Sequence, residues 1–209
     1  MRRKRGEHVL ALIAKAHAEK GSCRIIDLGG EPAYWNVFDR AVLEGFGVHV
    51  TLVNPEPQSN DDSMFTAVVG DACSLPEFAD HSFDLVHSNS VIEHVGLWER
   101  MEAFAREARR LAPRYYVQTP YQWFPVEPHF VTPLIHWRSE RHRAKWVLRN
   151  RPGAKGDYGN ALRAVQSIWL LDKTQMRYLF NDARHLDEKF AGLTKSLLAI
   201  RDAPARELM

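Results

Sequence analysis

The stretch that decides the fold runs Gly70-Asp71-Ala72-Cys73-Ser74-Leu75-Pro76, resumes at Phe83-Asp84-Leu85-Val86-His87-Ser88, and continues through Ser90-Val91-Ile92-Glu93-His94-Val95. Gly70-Asp71 closes the apolar run Phe65 to Val69, which reads as a strand, and Phe83 to Ser88 reads as the next one. Beyond them Trp98, Met101, Phe104, Ala105, Ala108 and Leu111 recur at helical spacing, with Glu and Arg on the opposite face. Strands alternating with amphipathic helices define a parallel sheet covered on both sides.

The same punctuation extends outward. Downstream, Tyr115-Tyr116-Val117-Gln118 is a strand closed by Thr119-Pro120. Upstream, Val48 to Val53 is a β-branched strand stopped by Asn54-Pro55-Glu56-Pro57, where two prolines forbid continuation. Arg24-Ile25-Ile26-Asp27-Leu28 is the first strand, broken by Gly29-Gly30. Pro32 opens a helix carrying Tyr34, Phe38, Ala41 and Val42 on one face, and Gly45 and Gly47 close it. Val9, Leu10, Ile13 and Ala16 place a further helix over residues 7–19, ended by Gly21. Residues 120–165 break the rhythm with prolines, aromatics and a basic run, and read as an irregular insertion with one or two helices. The strand pattern returns at His185 to Phe190, turns at Ala191-Gly192 and ends with Leu197 to Ile200, an antiparallel hairpin.

The chain has 209 residues, of which 45% are apolar and 26% charged, with a formal net charge of +2. That suits one globular domain spanning 1–209 and compels neither a nucleic-acid nor a membrane role. No stretch approaches the roughly 20 apolar residues that span a bilayer. Met1-Arg2-Arg3-Lys4-Arg5 has the charge of a signal-peptide opening, but Glu7, His8, Lys15, His17, Glu19 and Lys20 interrupt any apolar segment after it, so a cytoplasmic location is expected. Cys23 and Cys73 stand alone among apolar neighbours and read as reduced, packed thiols.

On these residues the chain resembles the class I SAM-dependent methyltransferases. The Gly70-Asp71 pair, the Phe83-Asp84-Leu85-Val86 strand and the Ile92-Glu93-His94-Val95 segment carry the likeness, which extends over roughly residues 22–119 and to the tail Gly192 to Leu197. The resemblance implies an α/β fold: a Rossmann-like, mostly parallel sheet of seven strands with a C-terminal antiparallel hairpin and helices on both faces. It implies S-adenosyl-L-methionine (SAM) as cofactor, held by Asp27, Gly29, Gly30, Asn54, Asp71, Ala72, Ser88 and Asn89. A glycine turn after the first strand lets backbone approach such a ligand, although the same glycines would serve any tight strand-to-helix turn. Asp71 is placed to accept from an adenine amino group, or else forms a turn. The chain departs from the family at three points. Glu31 and Ala33 stand where the glycine series would continue, and Asn54 replaces the acidic residue that would bind the ribose, leaving a single carbonyl acceptor.

Methyl transfer needs a positioned acceptor and, for an oxygen acceptor, a group that removes a proton. The candidates are Glu93, His94, Tyr121 and His129, which follow the fourth and fifth strands. His94 could act as a base near neutral pH or simply pack. Some O-methyltransferases of the resembled class carry Glu-x-x-Glu-His at this position with a later His and bind a divalent cation. Here Ser90 stands for the first Glu, and Glu93, His94 and His129 offer one carboxylate, which serves a hard cation poorly, so no metal ligand is assigned.

The segment Arg138, Arg141, Arg143, Lys145, Arg149, Arg151 and Lys155 is opposed only by Glu140. It serves a phosphate-bearing ligand, nucleic acid or an anionic membrane surface, or is a solvated helix face. The reading adopted from the sequence is a methyltransferase acting on a small molecule, such as a sugar, glycoconjugate or anionic metabolite. Its alternatives are a non-catalytic binding protein that kept the fold, and an RNA methyltransferase using residues 138–155.

Overall fold

The computed structural model describes residues 2–151 and 156–202. Seven strands form the main sheet: β1 (Cys23–Leu28), β2 (Val48–Asn54), β3 (Phe65–Val69), β4 (Leu85–Asn89), β5 (Arg114–Pro120), β8 (Arg184–Phe190) and β9 (Leu193–Asp202). A separate two-residue hairpin, β6 (Val126–Glu127) with β7 (Thr132–Pro133), lies in the insertion. The main order is β3-β2-β1-β4-β5-β9-β8. The first five strands pair in parallel, while β9 runs antiparallel to both β5 and β8. The seven-stranded, mostly parallel sheet closed by a hairpin thus stands as the sequence implies.

Among the described residues the α-helices are α1 (Arg2–Lys20), α2 (Pro32–Trp35), α3 (Arg40–Gly45), α4 (Trp98–Leu111), α5 (Glu140–Asn150), α6 (Tyr158–Gln166) and α7 (Lys173–Leu179). Consecutive strand residues feed opposite layers, as the period-2 pleat requires. Ile25, Leu52, Leu85, Tyr116 and Leu198 pack under α1, α2 and α3 with Val9, Leu12, Ile13 and Leu43. Their neighbours Ile26, Val53, Val86, Tyr115 and Leu197 pack under α4 and α7 with Phe104, Ala108, Leu111 and Phe180. All seven residues of β5 are buried, because the strand is paired on both edges and covered on both faces. Helices α5 and α6 share a smaller core of Ala144, Val147, Ala161 and Val165.

Several local expectations are corrected. The single helix after Pro32 is two short ones, because the Asp39 side chain accepts from Ala41 N and starts a new helix. The buried residues there are Trp35, Phe38 and Leu43, whereas Ala41 and Val42 are exposed. The N-terminal helix begins at Arg2 rather than near residue 7, and the fourth strand spans Leu85–Asn89 rather than starting at Phe83. The insertion holds the small hairpin and two helices, and α7 follows before the sheet resumes. Cys23 and Cys73 are buried free thiols, and burial pushes them up to about 12 and about 11. Among the described residues no helix is long and apolar enough to cross a membrane.

The turn after β1 rests on Gly29. Its φ is +73°, and a Cβ there would sit 2.5 Å from Val91 Cγ2. Gly29→Ala is therefore expected to lower the free energy of urea unfolding by at least about 1–2 kcal/mol, the cost of a left-handed conformation alone.

Candidate functional site

A cavity of about 800 Å³ opens at the carboxyl ends of β1, β4 and β5. At its base the carboxylate of Asp27 is buried and fully engaged. His87 Nδ1 lies 2.7 Å from Oδ1, and Trp35 Nε1 donates to Oδ2 at 2.9 Å. Since the carboxylate only accepts, Nδ1 is the donor of this pair. The imidazole stacks on Tyr116 at 5.5 Å, nearly parallel, and Nε2 has no hydrogen-bond partner among the described residues. Gly30 is forced by the same carboxylate, because a Cβ there would lie 2.0 Å from Asp27 Oδ2. Both glycines are thus demanded by the turn itself, whatever it binds.

The opposite wall is polar. From α1, Arg5 reaches across the sheet edge to pair with Glu188, with Nε 2.8 Å from Oε1, and also donates to Asn89 Oδ1 and Ser196 Oγ. Gln118 accepts from Ser90 Oγ at 3.0 Å. Ser90 adopts φ +59°, a left-handed conformation uncommon outside glycine, which turns the chain sharply after β4.

The residues singled out in the sequence separate into three places. Asp27, Gly29, Gly30, Asn89 and Tyr121 line the cavity. Asn54 abuts it, donating from Nδ2 to Gly30 O at 2.8 Å, so its Oδ1 remains as an acceptor. Ser88 is fully buried inside the sheet with Oγ donating to Leu28 O, and does not line the cavity. Asp71 and Ala72 stand apart as well. The Asp71 carboxylate is held by both terminal nitrogens of Arg100, at 2.7 and 2.8 Å, and its Oδ1 also accepts from Cys73 N. The Arg100 hydrogen bonds keep this carboxyl below its ordinary range.

Glu93, His94 and His129 form a cluster of their own beside the cavity. Glu93 is fully buried on the 3-10 turn Ile92–His94, and burial pushes its carboxyl up to about 7. Its Oε2 accepts from Thr119 Oγ1 at 2.9 Å. His94 and His129 meet Nε2 to Nε2 at 3.0 Å. Burial and the neighbouring His129 lower the pKa of His94.

Sequence reasoning missed Arg5, His87, Gln118 and Glu127. A histidine within an otherwise apolar strand was a legible sign at His87. Arg5 carried none, because its partners lie far along the chain. Arg141, Lys145 and Arg149 face solvent, and no residue from Arg138 to Arg151 lines the cavity; Lys155 falls outside the described residues.

The strand order, the antiparallel β9 and the glycine turn facing a cavity together define the class I methyltransferase fold. Residues 40–114 match a family profile described as a methyltransferase domain. The match covers about a third of the chain, and what the chain shares with that class is the fold. A comparison with curated protein sequences finds no match. Among solved structures, it is similar to 1,6-didemethyltoxoflavin-N1-methyltransferase of Burkholderia thailandensis, solved with 1,6-didemethyltoxoflavin and S-adenosylhomocysteine. The identity is 13%, the TM-score 0.53, and the match covers 93% of this chain and 77% of that one. A Rhodobacter sphaeroides protein provisionally described as a Zn-dependent alcohol dehydrogenase matches at 13% identity and TM-score 0.53, over 88% and 85% of the chains. A third match is a complex of the Haloferax volcanii Trm112 methyltransferase activator with a provisionally described methyltransferase, at 18% identity and TM-score 0.50, over 97% and 94%. Identities this low show the fold alone, and a fold does not fix the reaction.

The Arg5–Glu188 pair predicts a pH-dependent effect. Burial alone would raise the Glu188 carboxyl, but the Arg5 hydrogen bond and charge outweigh it and hold the group below its ordinary value. A depressed carboxyl stabilises the fold above its unfolded pKa and loses that contribution as pH falls through the folded one. Arg5→Ala is expected to cost about 1–3 kcal/mol in urea unfolding at neutral pH. The gap to the parent protein should narrow as acid protonates Glu188.

Proposed function

We propose that the chain is a SAM-dependent methyltransferase acting on a small molecule taken into the cavity described above. The observation that carries this reading is the cavity itself, set where the glycine turn after β1 meets the ends of β4 and β5. Ligands bind at that edge in open α/β sheets. Its volume, about 800 Å³, falls in the small-molecule range.

The residues present fit the cofactor in part. The Gly29-Gly30 turn leaves backbone open to a ligand, and Asn54 Oδ1 is free to accept one ribose hydroxyl. Engaging Asp71 requires its bidentate partner Arg100 to share or release the carboxylate. Bound there, the cofactor supplies an electrophilic methyl group on a sulfonium. The chain's own part is to orient the acceptor and manage its proton. His87, held by Asp27 through Nδ1, has an Nε2 without a hydrogen-bond partner among the described residues and is the candidate for that work. The polar wall of Arg5, Gln118 and Lys195 favours an acceptor with a polar or anionic group.

Calorimetric titration with SAM and S-adenosylhomocysteine tests the reading. Micromolar binding of both is expected, weakened about tenfold in Asp71→Ala, the loss of roughly one hydrogen bond to a charged group. Absence of binding by folded protein would favour a non-catalytic binding role.

One observation supports a second reading. Arg141, Lys145 and Arg149 lie four residues apart along α5 and form an exposed basic stripe, which would suit an RNA acceptor. Under it, RNA binding should fall steeply with salt, and reversing these three residues to Glu should abolish it.

A further inference from the structure

A set of large apolar side chains lies exposed around the mouth of the cavity. Trp123, Val126, Val131, Leu134, Trp137 and Phe190 are each open to solvent, Val131 at 74% and Trp123 at 54%. Contacts join them into one lip. The Trp123 and Trp137 rings lie 6.0 Å apart, and Phe124 meets Phe190 edge-on at 6.4 Å. Leu134 N donates to Pro125 O at 2.7 Å, beside Val126 on the β6–β7 hairpin. Phe124, Val126 and Pro128 also line the cavity, so the lip is continuous with it. The hairpin connection has an unusual shape. Val131 has φ +51° and Leu134 φ +56°, left-handed conformations that a β-branched or bulky residue rarely adopts. Buried Glu127 holds that shape, accepting from Phe130 N and pairing with His129 Nδ1 at 2.6 Å. The fold thus retains backbone strain in a connection that turns apolar side chains outward, where the core gains nothing from them.

We propose that this lip docks on an anionic membrane surface. Exposed tryptophans with aliphatic neighbours suit the boundary between headgroups and hydrocarbon, and basic residues beside them suit anionic headgroups. Arg138 follows Trp137 directly and is exposed, and Arg141 and Lys145 continue the basic run along α5. The β6–β7 connection rests on that helix, with Phe130 6.0 Å from Trp146 and Arg151 over Phe130 at 5.7 Å. On the other flank the Lys195 ammonium lies 5.9 Å from the centre of the Phe190 ring. Between Trp137 and Arg151 the only acid in the sequence is Glu140, so this flank is positive. A protein seated on the lip would close the cavity it borders, whereas a bilayer can feed an amphiphile into it. The docking does not rest on methyl transfer. Under the function proposed above, the acceptor would carry its polar group on a lipid anchor.

The test is co-sedimentation of the full chain with phosphatidylcholine vesicles, with and without phosphatidylglycerol. Binding to the anionic vesicles is expected, weaker on phosphatidylcholine alone and falling as salt rises. Brominated lipid should quench the tryptophan emission, as expected for a lip at the hydrocarbon boundary. Trp123→Ser with Val131→Asp, and separately Arg141→Glu with Lys145→Glu, should each weaken binding at least about tenfold. All four side chains are exposed, and far-UV circular dichroism confirms that the variants fold. S-adenosylhomocysteine titration reports separately on the cofactor site, and neither variant should change it. The proposal is overturned by folded chain that leaves the anionic vesicles unbound, whether or not it binds single-stranded RNA. Vesicle binding that survives Trp123→Ser with Val131→Asp, or a stable dimer that those two substitutions dissolve, would equally overturn it.

Discussion

The carboxylate of Asp27 is the constraint on which the rest of the site depends. It is buried at the carboxyl end of β1, where an unpaired charge would be severely penalised. Its two partners arrive from different layers: His87 from the neighbouring strand β4, and Trp35 from α2. Satisfying one charge therefore orients His87 through Nδ1, draws α2 over the sheet edge and excludes a side chain at position 30. The cavity owes its floor to this arrangement. Tyr116 completes it by stacking beneath the imidazole.

Around that point the molecule divides its work by face and by edge. The two helical layers bury apolar residues on either side of the sheet and carry the fold. The carboxyl edge collects polar groups from α1, β4, β5 and β9, which are far apart in sequence. The departures at Glu31, Ala33 and Asn54 change meaning in this light. Asn54 binds the turn's own backbone instead of offering a carboxylate, so the loop is braced internally. Asp71 is likewise committed to Arg100. A ligand entering here must exchange protein contacts for its own.

Much of the fold was legible because burial on both faces leaves a strong trace. Apolar runs ended by Gly-Gly, Asn-Pro and Thr-Pro marked β1, β2 and β5, and α4 was readable to the residue from its apolar stripe. The failures have local causes. Tyr34, Phe38 and Val42 are spaced like one helix, but the Asp39 cap starts a second, and only Phe38 of the three is buried. The β6–β7 hairpin pairs two residues per strand, too few to show a period. Of the site, the glycine turn and the Glu93, His94 and His129 cluster could be named from sequence. Arg5 and Glu127 could not, because only tertiary contacts give them a role.

The central claim is that the edge built on Asp27 is a cofactor-binding site. Hydrogen exchange of the full chain with and without S-adenosylhomocysteine tests it most directly. The account predicts added protection in the segments around 28–36, 70–73, 88–91 and 118–122, with α5 and α6 unchanged. Protection confined to other segments, or none at saturating ligand, would contradict it.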